Sequence, residues 1–202
     1  MTWDILLECG VKELPVDLNA VCRHLNIRTL DYFQGRPIIK EMGLEHRWRS
    51  NDGFLVRCDG QAIIFYHPSI PEPRRRFTIA HEIGHYALGH GGELVNREPS
   101  SRDNPIEQEA NRFAAGLLSP ACVFWGMDVS NAAVIAERSN ISYRAAQFRA
   151  AEMVRLLARD REYMRLYGHP YFLRSKKEEE LYRRFLPYIK ANRSPYYGQF
   201  SG

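Results

Sequence analysis

The 202-residue chain contains four cysteines, Cys9, Cys22, Cys58 and Cys122, widely spaced and with no C-x-x-C pair. That spacing excludes a disulfide framework and fits reduced thiols in a cytosolic protein. No run approaches the roughly 18 apolar residues that a membrane span needs. The opening Met1-Thr2-Trp3-Asp4-Ile5-Leu6-Leu7-Glu8 carries acid where a signal peptide would carry base, and its apolar stretch is too short for one. Internal repeats and low-complexity tracts are absent. Charge of one sign is also scarce, since the net value is only +4. The basic clusters, Arg74-Arg75-Arg76 and those from Arg138 to Arg193, have acidic neighbours such as Glu178-Glu179-Glu180. They read as a solvated surface before they read as a nucleic-acid patch. An apolar content of 45% and a charged content of 26% are those of a soluble globular protein with one sizeable core.

The chemistry begins at His81-Glu82-Ile83-Gly84-His85, an H-E-x-x-H pattern. From Arg76 to Leu88 the apolar residues Phe77, Ile79, Ala80, Ile83, Gly84, Ala87 and Leu88 follow helical spacing, and Gly89, Gly91 and Gly92 supply a stop. Residues four apart share a helix face, so His81 and His85 can aim ring nitrogens at one metal ion. Glu82 projects beside them, where its carboxylate can take a proton from the attacking water. The five-residue pattern alone is moderately specific, and its helical setting is what raises it above two surface histidines and an ordinary glutamate.

A catalytic zinc takes three protein ligands and keeps its fourth position for water. A second amphipathic helix runs over Ile106, Ala110, Phe113, Ala114, Leu117 and Leu118. Glu107 and Asn111 lie at the inner edge of its stripe, whereas Glu109 shares a face with Arg112 and Gly116 and points to water. Facing therefore assigns Glu107 as the third ligand, with Asn111 one turn on to hold a ligand histidine by hydrogen bonding. His90 is the rival. It stands about 140° around the helix axis from His85 and reaches the metal only if the chain breaks sharply at Gly89. Otherwise it is a polar residue at a helix end.

The run Arg76-Phe77-Thr78-Ile79-Ala80-His81-Glu82-Ile83-Gly84-His85, followed by Glu107-Gln108-Glu109-Ala110-Asn111-Arg112-Phe113-Ala114-Ala115 and Leu117-Leu118-Ser119-Pro120, resembles the ImmA/IrrE family of metallo-endopeptidases. The match covers about residues 60 to 120. The resemblance implies an α+β, zincin-like metallopeptidase domain with a small antiparallel sheet and a C-terminal helical extension. It implies Zn²⁺ held by His81, His85 and Glu107, with Glu82 as general base. It also implies a protein substrate, a helix-turn-helix transcriptional repressor cleaved in the cytoplasm to release a mobile-element, defence or stress-response programme. The oxyanion-stabilising group stays open among Tyr143, His169 and the arginines. So does a cysteine that blocks the metal. The alternative is a DNA- or protein-binding regulator whose metal site is structural or inactive.

Elsewhere, Val16 to Leu25 has helical spacing, with Pro15 and Asp17 at its start, and Ile27 to Phe33 reads as a short strand. Phe54–Cys58 and Ala62–Tyr66 flank Asp59-Gly60, a hairpin signal. By the resemblance, Ala62–Tyr66 is the cleft edge on which an extended substrate pairs. The segment from His67 to Pro73 holds three prolines and should be extended, and Gly91 to Pro105 reads as a mobile loop over the site. Residues 131–138 and 142–158 resemble a helix-turn-helix. Their alanines, with the stripe Val134, Ile135, Ile141, Phe148, Met153, Val154 and Leu157, favour packing over DNA reading. Lys177 to Lys190 reads as a further helix and Asn192 to Gly202 as a tail that is poorly ordered or docked by its aromatics. The expected organisation is a metallopeptidase domain over 1–125 with a helical extension over 126–202.

Overall fold

The computed structural model describes residues 1–58, 60–90 and 104–193. The expected loop over the site, and the tail from residue 194, lie outside the described residues. By its contacts the chain forms two units, Met1–Val16 with Ala115–Gly202, and Asp17–Ala114. This division falls within a helix, between residues 114 and 115.

The unit Asp17–Ala114 holds the sheet. It runs α2 (Leu18–His24), β1 (Ile27–Asp31), α3 (Arg36–Glu41), α4 (Glu45–Ser50), β2 (Gly53–Cys58), β3 (Gln61–Tyr66), α5 (Glu72–Ala87) and the first turns of α6 (Pro105–Leu118). Asp17 is the N-cap of α2, and its carboxylate accepts from the N–H groups of Asn19 and Ala20. The hairpin forms at the expected place: Cys58 pairs with Gln61, and Gly60 takes the positive φ of 76° that the tight turn demands. A third strand then joins. β1 pairs parallel with β3, Ile27 opposite Ala62, and gives the order β1-β3-β2. The antiparallel pair is therefore part of a mixed sheet.

That order corrects the expectation for Ala62–Tyr66. β3 is the central strand, hydrogen-bonded on both sides, so its backbone cannot receive a substrate; the edges are β1 and β2. Four consecutive buried residues, Ala62 to Phe65, already mark a strand covered on both faces. One face, with Phe54, Val56, Ile63 and Phe65, builds a core with Tyr32, Ile39 and Leu44. The helix α5 packs against β2 and β3.

The proline-rich segment is not extended throughout. Pro71 is the N-cap of α5 and Pro73 lies in its first turn, where a missing N–H costs nothing and a fixed φ is already helical. α5 thus starts four residues before Arg76 and becomes a 16-residue rod. Asn104 opens α6 in the same economical way: its side-chain oxygen accepts from the N–H of Ile106, and Pro105 occupies the first helical position.

The other unit is helical among the described residues: α1 (Thr2–Glu8), the end of α6, α7 (Ala121–Met127), α8 (Ala132–Ser139), α9 (Tyr143–Tyr167) and α10 (Lys176–Asn192). Its core gathers Leu6, Phe124, Met127, Leu181 and Phe185, all nearly inaccessible. Asn140 closes α8 in the left-handed region, and the Ser142 hydroxyl accepts from the Ala145 N–H to open α9. The apolar stripe expected to pack is only partly buried. Ile135, Ile141 and Met153 are inside, but Phe148 and Val154 are 69% and 56% exposed. The buried residues of α9 are Ala146, Arg149 and Met153. Alanines on several sides of this helix leave its apolar periodicity weak, and the side that turns in carries these three. The Arg149 guanidinium donates from Nε to the Ser119 hydroxyl at 3.1 Å and from Nη1 to Glu152 at 2.7 Å.

Candidate metal centre

Two helices supply the site. His81 and His85 stand one turn apart on α5, and Glu107 comes from the first turn of α6. The ligand atoms of these three residues all lie within 4.8 Å of one another. His81 Nε2 is 2.8 Å from His85 Nε2 and 3.1 Å from Glu107 Oε2; His85 Nε2 is 3.7 Å from Glu107 Oε1. Access is one-sided. His85 is fully buried, while the side chains of His81 and Glu107 keep 15% and 18% of their surface. Glu82 is buried as well.

Gly84 allows the helices to approach. A Cβ built there would lie 3.1 Å from the Phe113 ring and 3.2 Å from the Ala110 carbonyl oxygen, tighter than ordinary contact. The absence of that one carbon brings α6 near enough for Glu107 to meet both histidines.

The outward nitrogens of the two imidazoles are held differently. His81 Nδ1 lies 3.0 Å from Asn111 Oδ1, the contact expected from Asn111 being one turn beyond Glu107. The partner of His85 was not legible. Gly89 adopts φ 72°, its N–H donates to the Tyr86 carbonyl, and the N–H of His90 donates to the His85 carbonyl at 2.9 Å. These bonds form a Schellman close, which folds the second residue beyond the helix back against the last turn. The chain does break at Gly89, but it carries His90 behind His85 and not to the ligand cluster: His85 Nδ1 is 3.0 Å from His90 Nδ1. His90 Nε2 in turn is 3.0 Å from Glu109 Oε2. Glu109 is half exposed, as its facing implies, yet its carboxylate is hydrogen-bonded to His90. Gly89 followed by histidine is the signal that could have suggested this contact.

The donor set fits a divalent cation. With the Asn111 oxygen accepting, His81 carries its proton on Nδ1 and presents a lone pair from Nε2. If His90 is neutral and donates from Nε2–H to Glu109, its Nδ1 accepts from His85 Nδ1–H, and His85 Nε2 presents a lone pair too. Two imidazole nitrogens and a carboxylate then face one another, with His81 Nε2 2.8 Å from His85 Nε2 and 3.1 Å from Glu107 Oε2. Two imidazoles with one carboxylate are the borderline N/O donors of a zinc site. Among the described residues no cysteine joins this cluster. Burial pushes the Cys122 thiol up to about 12, far from a thiolate ligand's range.

Comparison with family models gives a match to the model described as Peptidase_M78, IrrE N-terminal-like domain, over residues 36–151. That is more than half of the chain. The chain belongs to the IrrE N-terminal-like metallopeptidase family. The family match runs from α3 through β2 and β3, both site helices and α8 into α9. The chain is accordingly a metallopeptidase of α+β fold with a His, His and Glu cluster inside the matched region. A search of curated proteins finds no match. Of the oxyanion candidates, Tyr143 begins α9 and is 58% exposed, and His169 follows that helix with its ring against Tyr163.

Proposed function

We propose that this family member is a zinc-dependent endopeptidase, with His81, His85 and Glu107 as metal ligands and Glu82 as general base. The observation that carries the reading is the meeting of the three ligand side chains within 4.8 Å, beside a buried glutamate on the same helix. Zinc bound by such donors supplies a Lewis acid that polarises a carbonyl and lowers the pKa of water to roughly 7. Asn111 and His90 turn the ring nitrogens of the ligands toward the centre. Glu82, one residue along from His81, accepts the proton as water attacks the peptide carbonyl and returns it to the leaving amine. Burial shields its carboxylate from bulk water, which keeps the proton local.

The substrate is a protein, namely a helix-turn-helix transcriptional repressor whose cleavage in the cytoplasm derepresses a mobile-element, defence or stress-response programme. Family resemblance is the support for this choice. The test is incubation of the zinc-loaded protein with the repressor encoded beside its gene, with peptide products read by mass spectrometry. The expected result is cleavage at one site by the parent and none by Glu82→Gln. An intact repressor with fully zinc-loaded parent would remove the substrate assignment, and equal cutting by both proteins would remove the role of Glu82.

A further inference from the structure

The two ligand histidines are not held alike. His81 is oriented by one amide, whereas His85 is backed by a second histidine that is itself backed by a carboxylate. We propose that His90 and Glu109 form a positioning brace that locks the proton of His85 on Nδ1, so that Nε2 is permanently a donor to the metal. The inference rests on the metal-centre reading above.

The polarity of the brace follows from its outer end. Glu109 Oε2 at 3.0 Å from His90 Nε2 is an acceptor, so His90 must carry its proton on Nε2. With His90 neutral its Nδ1 is a lone pair, and the 3.0 Å contact then puts the His85 proton between the two Nδ1 atoms. Carboxylate partners are known to raise the basicity and fix the tautomer of a ligand histidine. Here the same effect is relayed through one more ring. The architecture makes the relay obligatory: the left-handed Gly89 returns His90 to the last turn of α5, and Glu109 reaches it from α6, two residues beyond the ligand Glu107. One helix thus supplies both a ligand for the metal and the anchor for the opposite ligand's brace. Only 11% of the His90 side-chain surface is accessible, so little water competes for its nitrogens.

The test uses the full chain stripped of metal, zinc titrations in competition with a chromophoric chelator, and long-range ¹H–¹⁵N spectra of the imidazoles. His90→Leu should weaken zinc binding about 10- to 100-fold, the range for loss of an orienting partner. His90→Gln, whose amide oxygen can still accept the His85 proton, should recover most of that loss. Glu109→Ala should weaken binding less, and should have no further effect once His90 is leucine, because it acts only through that ring. In the metal-free parent the spectra should show His85 protonated on Nδ1, and His90→Leu should move that proton toward Nε2. Additive losses in the double variant, or an Nε2–H tautomer for His85 in the parent, would overturn the brace. Glu107→Ala separates the two levels. If it binds zinc as well as the parent, the metal-centre reading fails, while the tautomer spectra still decide the brace without any metal. Should His90→Leu not fold, as judged by thermal melting, His90→Gln and Glu109→Ala carry the same comparison.

Discussion

The helix pairs α5–α6 and α8–α9 look alike on paper, since each is an amphipathic pair with polar residues near its apolar stripe. Their polar residues end in opposite situations. In α8–α9 the polar side chains that anchor the pair are bound to protein partners: Asn131 and Ser142 cap helices, and Arg149 is bound to Ser119 and Glu152. In α5–α6 the outward nitrogens are closed in the same way, by Asn111 and by His90, but the inward atoms of His81, His85 and Glu107 face one another. Three candidate ligand atoms converge in α5–α6, and the anchoring polar side chains of α8–α9 do not converge in this way. That contrast, more than the presence of histidine, marks the site.

The contrast can be broken at several points of decreasing effect. Glu82→Gln keeps the shape of the side chain and removes the proton acceptor, so turnover should fall about 10²- to 10⁴-fold. Zinc content should not change, and peptide hydrolysis at matched metal loading checks both halves. Glu107→Ala should release zinc outright, with a loss of affinity beyond the roughly 100-fold ceiling for an orienting partner, read by chelator competition. Arg149→Met tests the closed pair. The Ser119 hydroxyl keeps its bond to the Ala115 carbonyl, and loss of the bond from the buried guanidinium should cost about 1–3 kcal/mol in chemical denaturation, with zinc affinity unchanged. Two glycines of the site helices sharpen the comparison at smaller scale. Gly84→Ala drives a Cβ to 3.1 Å from Phe113 and should destabilise by about 1 kcal/mol or more while weakening zinc binding. Gly116→Ala on α6 meets nothing nearer than 3.5 Å and should stabilise by about 0.4–1 kcal/mol, with the centre unaffected.

How much could be read beforehand follows the range of the contacts involved. His81, Glu82 and His85 lie on one helix, where spacing alone fixes the face, and Glu107 and Asn111 followed from the facing of the next helix. The short helices α1, α3, α4 and α7 carry six or seven residues each, too few for periodicity to speak. They exist because residues such as Leu6, Ile39, Leu44 and Phe124 are drawn into cores. The central position of β3 depends on a parallel partner more than thirty residues earlier, a pairing that no local turn signal announces. The His90 and Glu109 pair needed both a left-handed residue and a contact between separate helices. Phe148 and Val154 show the opposite failure: an apolar stripe drawn on a helix wheel assumed a burial that goes to the side carrying Ala146, Arg149 and Met153.

The most direct test of the central claim is X-ray absorption at the zinc edge of the loaded full-length protein, read for donor identity. The account predicts two imidazole donors and oxygen ligands, with one imidazole lost in His85→Ala and no sulfur in either. A spectrum with a sulfur donor, or one unchanged by loss of His85, would contradict it.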